Sequence, residues 1–232
     1  MAVAKSIDSV GAVSDSSAII TAIHTGNIFY VDKSQVLSGI GSVNDPMNSI
    51  QTAINASRNG DSILVKPGVY FERLSIDSSI TIGSLFMLNP NDTASISKTI
   101  INGSTTTNYS ALIGLKGTNN MINRTLSLRG LQFEQFNGSL INDSRILILS
   151  NCILNSIKAN CSSLINGNNN SIIEKSKFFN TSGQIYLASN SIISQNLFLK
   201  HNGSCNSQFI NGSSSKLKIT NNLFIDLTGT DL

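Results

Sequence analysis

Acidic side chains have the most obvious catalytic potential in this sequence, because glycoside hydrolysis needs two carboxyl groups facing each other across the sugar bond. From residue 94 to residue 225, the acidic residues are Glu134, Asp143 and Glu174. Glu134 directly follows an apolar repeat position, Glu174 precedes another by a short spacer, and Asp143 falls at a corner. This spacing places no two of them on a shared face, and we predict no catalytic residues.

The other titratable residues are predicted to be structural. Asp61 is expected to be a turn residue, and Glu72 to pair on the surface with Arg73 or another neighbour. His24 is expected to be solvent-facing or simply packed. His201 stands beside an Asn-Gly pair and is expected to be a solvated turn histidine.

The cysteines are Cys152, Cys161 and Cys205, and an odd count argues against a full disulfide framework. Cys161 and Cys205 fall two coils apart in the repeat described below, or about 10 Å along its axis. That distance exceeds disulfide reach, so we predict no bridge between them, whereas a bridge between Cys152 and Cys161 stays open. No Cys/His spacing suggests zinc, and we predict neither a metal nor a cofactor.

The surface is polar but weakly charged, with 12% charged residues, a net charge of +3 and scattered Lys and Arg. Nucleic-acid binding would need a basic stripe that displaces phosphate counterions, so we predict no nucleic-acid partner. No apolar stretch of about 18 residues is present, which predicts no membrane span. No signal peptide is visible at the N-terminus, and we expect an extracellular, cell-surface or virion-exterior location.

Asn-x-Ser/Thr sequons are frequent, and they accept N-glycans in a secretory pathway. The candidate acceptors are Asn91, Asn102, Asn108, Asn123, Asn137, Asn142, Asn160, Asn180, Asn202 and Asn211.

From about residue 126 the sequence repeats every 20–26 residues. A large apolar residue ends each of five segments, Leu131–Phe133, Asn151–Ile153, Ser176–Phe178, Asn196–Phe198 and Asn222–Phe224. Apolar and polar residues alternate within each unit, as in strands, and self-similarity at this period is typical of a solenoid. The pattern predicts an inward stack of Phe133, Ile153, Phe178, Phe198 and Phe224. Asn recurs at the first position and predicts a side-chain ladder between coils.

A second series interleaves with the first and supports the same solenoid. Its members are Ser139–Asn142, Ser163–Asn166 and Gln208–Asn211, with a weaker one at Gln184–Leu187. Asn-Gly pairs follow or lie within several of these units and mark corners. A β-sandwich with coincidental spacing is the alternative fold.

The residues before the repeat predict a strand and an amphipathic helix. Ile28–Asp32 has the pattern of a strand. Asp45 is predicted as the N-cap and Pro46 as the first residue of a helix that ends near residue 58. Such a helix can cover the open apolar end of a solenoid.

Three sequence pieces follow one another in residues 28–83. They are Tyr30-Val31-Asp32, Pro46 to Ile54, and Asn59-Gly60-Asp61 through Val69-Tyr70. In this order they resemble the opening of many pectin-lyase-like β-helix proteins. The resemblance implies an all-β, right-handed parallel β-helix with a short N-terminal capping helix. We expect a lead-in over residues 1–27, a strand and capping helix over 28–60, and the β-helix over 61–232. The superfamily includes lyases, hydrolases, phage tailspikes and non-catalytic surface proteins, so no activity is implied.

The sequence therefore predicts a non-catalytic structural or adhesive surface protein whose flank contacts glycans. The first alternative is a virion tailspike or fibre component, and the second is a polysaccharide lyase or glycoside hydrolase. The C-terminal unit Leu217–Ile225 is a full-strength strand unit without a lid. We expect self-association or another subunit at that end, or a chain that continues past Leu232.

Overall fold

The computed structural model describes residues 6–7, 13–14, 26–105, 109–115, 123–142, 145–202, 209–212 and 216–228. In these ranges the chain is mostly β-structure. One short antiparallel pair, β1 (Ser6–Ile7) and β2 (Val13–Ser14), forms a sheet of its own. The larger strands pair in parallel and form three faces, called here the first, second and third sheets.

The first sheet has eight strands that lie in chain order. They are β3 (Ile28–Val31), β4 (Ser62–Val65), β7 (Ile80–Ser84), β10 (Thr125–Arg129), β13 (Ile146–Ser150), β15 (Ile172–Glu174), β18 (Ile192–Ser194) and β21 (Lys218–Thr220). Each strand pairs with the strand of the next round of the chain, as in the five-residue register between β10 and β13. One round of the chain is called a coil below.

The second and third sheets follow the same order and share one long strand, β14 (Ile153–Gly167). The second sheet also contains β5 (Gly68–Tyr70), β8 (Thr99–Asn102), β11 (Gln132–Phe136), β16 (Lys177–Phe179), β19 (Leu197–Leu199) and β22 (Leu223–Ile225). The third contains β6 (Leu74–Ile76), β9 (Ala111–Leu115), β12 (Ser139–Asn142), β17 (Ser182–Leu187) and β20 (Ile210–Gly212). The architecture is consistent with an all-β, parallel, solenoid-like fold.

An apolar column of the second sheet points into the core. It runs in register through Phe133, Leu154, Phe178, Phe198 and Phe224. The rings of Phe178 and Phe198 stack with centroids 4.5 Å apart, and those of Phe198 and Phe224 stack at 5.0 Å. The predicted inward stack is confirmed for these phenylalanines.

The prediction was wrong for Ile153. This residue pairs with Gln132 and Lys177 and is half-buried, while Leu154 takes the core position. Side chains alternate between the two faces of a strand, so an offset of one residue in the assumed repeat exchanges the inward and outward sets.

An asparagine ladder joins the last described coils. The Asn196 amide donates to Asn222 Oδ1 at 3.0 Å and to the carbonyl of Ile173 at 2.9 Å. This part of the predicted ladder is confirmed. Asn151 does not belong to the ladder, because Cys152 is the residue in register. The N–H of Cys152 donates to Ser176 Oγ at 3.1 Å.

Left-handed residues stack at the corner between the first and second sheets. They are Gly130, Asn151, Lys175, Gln195 and Asn221, with φ between 50° and 61°. Their amides donate along the stack, for example from Lys175 to the Ser194 carbonyl at 3.1 Å. A second corner repeats this conformation at Gln135, Ser156, Asn180, Lys200 and Asp226. The corners therefore need a left-handed backbone more than they need asparagine.

The capping helix α1 spans Ile50–Ala56, and Ser49 is its N-cap, whose side chain accepts from Thr52 N. The predicted start at Asp45 and Pro46 was wrong. Asp45 instead organises the preceding loop, where its Oδ2 accepts from Ile40 N at 3.1 Å. The helix buries Ile50, Ala53 and Ile54, as expected of an amphipathic lid.

After β7 the chain leaves the first sheet in a segment of two short helices, residues 85–98, called here the excursion. It contains a 3-10 helix at Leu85–Met87 and the helix α2 at Ala94–Lys98, which leads into β8. The ring of Phe86 lies directly over Gly130, where an added Cβ would come within 2.8 Å of it. Glycine at this corner thus allows the excursion to pack on the outside of the first sheet.

Candidate functional site

The carboxylates considered from the sequence do not form a catalytic pair in the part of the chain that the structure describes. Glu134 lies on β11 of the second sheet, opposite Asn102 and Asn155. Glu174 lies on β15 of the first sheet. Asp143 is outside the described residues. Across the described ranges, no group of His, Cys, Asp and Glu side chains has a metal-binding arrangement.

The prediction that Glu72 forms an ion pair on the surface was wrong. The Glu72 carboxylate accepts from Ile50 N at 3.0 Å and from Gln51 N at 2.8 Å, so it binds the first amides of α1. Burial raises the pKa of Glu72, and the two N–H donors oppose that shift. Asp61, as predicted, is a turn residue, and its carboxylate accepts from Asn27 N and Arg58 N. Both acidic residues therefore hold the N-terminal lid together.

The prediction that His201 is a solvated turn residue was also wrong, because this residue is only 1% exposed. Nδ1 lies 2.8 Å from Thr181 Oγ1, and Nε2 lies 2.9 Å from the Gly183 carbonyl. The carbonyl can only accept, so Nε2 carries the proton and Nδ1 accepts from the hydroxyl. Burial lowers the pKa of His201 to about 4. Its position between polar neighbours in the sequence gave no sign of burial. His24 lies outside the described residues.

Cys152 is a free, buried thiol, and burial raises its pKa to about 12. A thiol that is protonated and inaccessible is a poor nucleophile. The side chain of Cys161, and the whole of Cys205, lie outside the described part of the chain, so the predictions on bridging stay predictions.

A groove of about 570 Å³ runs between the excursion after β7 and the outer face of the first sheet. Phe86, Met87 and Pro90 form its apolar wall, and the charged side chains that line it are Arg129, Glu174 and Lys175. Arg129 Nε donates to Ser127 Oγ at 3.0 Å. With a single carboxylate among its lining residues, the groove does not present the pair that glycoside hydrolysis requires. The groove could not be predicted from the sequence, because neither Gly130 nor the excursion has a recognisable motif.

The outer face of the third sheet carries a column of hydrogen-bonding side chains. In register they are Asn142, Asn166, Tyr186 and Asn211. The amide of Asn166 donates to Asn142 Oδ1 at 3.4 Å. A tyrosine ring flanked by amides offers an apolar face together with polar groups. Tyr186 is half-buried, and Tyr109, which is exposed, instead lies under the Arg73 guanidinium at 4.5 Å.

The sequon asparagines differ in accessibility. Exposed asparagines are found at Asn91, Asn123, Asn137, Asn142, Asn180 and Asn202, and Asn211 is half-buried. Asn102 is buried, and its amide donates to Gln135 Oε1 at 3.2 Å, so the folded structure leaves no room for a glycan there. Asn108 and the side chain of Asn160 lie outside the described residues.

The two ends of the coil stack differ. At the N-terminal end, the loop that precedes α1 covers the outer edge of β3, where Tyr30 N donates to the Gly41 carbonyl at 2.8 Å. At the C-terminal end, β21 and β22 are each paired on one side only among the described strands. Ile219 is 46% exposed, Leu223 56% and Ile225 44%. No described helix is long and apolar enough to cross a membrane.

No protein-family model matches the sequence, and no curated protein matches it. A search of solved structures finds a rhamnogalacturonan lyase that is 12% identical, with a TM-score of 0.34. The alignment covers 88% of this chain and 63% of that one, so the chain spans less than two thirds of the lyase. At this TM-score the likeness does not identify a shared function.

Proposed function

We propose that this chain is a non-catalytic structural protein, a rigid right-handed parallel β-helix of the pectin-lyase-like kind. In this proposal it assembles with other subunits through its C-terminal end and contacts glycans along its flank. Its location is the cell surface, the extracellular space or the exterior of a virion.

The observation that supports the proposal is that β21 and β22 are each paired on one side only among the strands that the structure describes. An exposed strand edge presents unsatisfied N–H and C=O groups and is a template for pairing with another chain. Here the edge coincides with the exposed apolar side chains of Ile219, Leu223 and Ile225. Burying such side chains contributes about 25 cal/mol for each Å² of apolar surface removed from water. Subunit association would satisfy both the backbone and the side chains.

The glycan part of the proposal is supported by the third-sheet column around Tyr186. Its amide groups can exchange hydrogen bonds with sugar hydroxyls, and the ring can cover the apolar face of a sugar. Binding of the protein to a glycan array, compared between wild type and Tyr186→Ala, tests this part. Tyr109→Ala is the matched control, because that ring is committed to Arg73. Equal binding by the wild type and the Tyr186 variant would contradict it.

Assembly is tested by sedimentation velocity of the full chain as its concentration is raised. We expect the wild type to associate and Leu223→Lys/Ile225→Lys to remain monomeric. The control is Leu197→Lys/Leu199→Lys, since these residues are the register partners of Leu223 and Ile225 one coil earlier, in a strand that is paired on both sides. A wild-type chain that stays monomeric at every concentration would refute the proposed assembly.

A further inference from the structure

The opposite end of the molecule carries a second apolar surface, on the loop between β3 and α1. Its side chains are among the most exposed apolar groups described, with Val36 at 92%, Leu37 at 83%, Ile40 at 76% and Val43 at 54%. A solvated loop does not need four such residues within a short span, and a clustered apolar patch of this kind marks an interaction surface. This apolar loop, residues 36–43, is well anchored by the hydrogen bonds that Asp45 makes with it.

The apolar loop lies at the end of the first sheet that is opposite to β21. Gly41 O accepts from Tyr30 N, and Met47 N donates to the Tyr30 carbonyl at 2.9 Å, on the side of β3 that faces away from β4. The first sheet therefore begins with the apolar loop and ends with the open strand that carries Ile219. Translation of one copy along the stack axis brings these two surfaces together.

Charge at the two ends is also complementary. Lys216 and Lys218 are exposed beside the open edge of β21 in the first sheet, whereas the exposed Asp226 follows β22 of the second sheet. At the other end, Asp45 is an exposed anion next to Ile40. The nearby cation Lys33 makes other contacts, because its Nζ lies 4.8 Å from the centre of the Phe71 ring and donates to the Val69 carbonyl. Opposite charges at the rim of an apolar contact fix its register and orientation.

We infer that the apolar loop, residues 36–43, is the binding partner of the open C-terminal edge in a second copy of this chain. The contact is head to tail, so the same two surfaces remain free at the ends of each pair and assembly continues as a filament. The inference rests on the proposed function, since it names the partner of the end that the proposal assigns to assembly.

Mixing of two blocked variants tests the inference. Val36→Lys/Leu37→Lys places like charge opposite Lys216 and Lys218 and blocks the loop, and Ile219→Lys, in β21, blocks the edge of the first sheet. Because these side chains are exposed, both variants are expected to keep the fold. We expect each variant alone to be a monomer in sedimentation velocity. Their equimolar mixture should give the mass of two chains and no larger species, since each variant supplies one intact surface.

Other outcomes separate the inference from the proposal on which it rests. A loop variant that associates as well as the wild type would overturn the inference and leave edge-mediated assembly standing, as in a tail-to-tail dimer. Two monomeric variants whose mixture also stays monomeric would overturn it as well. Absence of wild-type association would refute the proposed assembly itself.

Discussion

The hydroxyl of Thr181, in the preceding coil, donates to Nδ1 of the His201 imidazole at 2.8 Å. The other ring nitrogen donates to the Gly183 carbonyl, and the ring lies 4.1 Å from that of Phe209, measured between centroids. A protonated imidazolium would be costly at this position, because it is shielded from water and Lys158 adds like charge.

The free energy of unfolding should therefore fall as the pH is lowered from the pKa of His201 in the unfolded chain to its pKa in the folded chain. Its folded pKa is about 4, below the ordinary value of 6.5, so the unfolded chain binds the proton first and is favoured as the pH drops. The stability is fully present above about pH 6.5, and the loss reaches about 3 kcal/mol near pH 4. Urea unfolding of the wild type and His201→Phe across this range measures the effect. An equal slope against pH in both proteins would contradict it.

Phe178→Ala should cost about 3–5 kcal/mol of unfolding free energy, as is usual for an aromatic truncation in a packed core. The side chain is completely buried and stacks on Phe198 at 4.5 Å. Phe179→Ala is the matched control, because Phe179 is adjacent in β16 but half-buried on the outer face. Equal losses in the two variants, measured by chemical denaturation, would contradict the assigned core column.

Replacement of Glu72 should loosen the helical lid. Glu72→Ala removes the acceptor for Ile50 N and Gln51 N, and unpaired buried N–H groups cost about 1–3 kcal/mol. Glu72→Gln keeps one acceptor oxygen and should lose less. Hydrogen exchange at the Ile50 and Gln51 amides reports directly on this contact. Unchanged protection in Glu72→Ala would show that the carboxylate does not hold the helix.

Cys152 should resist thiol reagents while the chain is folded. Its thiol is buried, and its pKa is raised to about 12, so the reactive thiolate is scarce. In a Cys161→Ser/Cys205→Ser background, labelling with an aromatic disulfide reagent should proceed only after denaturant is added. Stoichiometric labelling of the native protein within minutes would be inconsistent with this burial.

Alternation and period were enough to predict stacked parallel strands, because they report which side chains face inward. They could not fix every register, as the offset at Ile153 shows, since both Ile153 and Leu154 are apolar. The corners at Lys175, Gln195 and Lys200 were also unpredictable, because these residue types do not favour a left-handed backbone by themselves. The neighbouring coil imposes that conformation through hydrogen bonds along the stack.

Burial of His201 and the groove beside Phe86 depend on contacts that are distant in sequence. Thr181 and His201 meet because they are in successive coils, and Phe86 packs over Gly130 from an excursion that follows the neighbouring strand of the same sheet. Neither pair has a local signature. The exposed apolar loop was visible as Val36, Leu37 and Ile40 in the sequence, but its exposure required knowledge of which residues the lid covers.

One end of the coil stack is covered by the helical lid and the other is an open edge, so we expect the coils to unfold in order from the open edge. Coils contact mainly their neighbours, so stability is approximately a sum over adjacent interfaces. The terminal coil with β21 and β22 has one such interface, and it should open first, with β18 and β19 next. Opening from α1 would instead break the Glu72 contacts and expose Ile50 and Ile54 at once. A gradient of amide exchange that rises steadily towards residue 225 follows, and occupation of the open edge would abolish it.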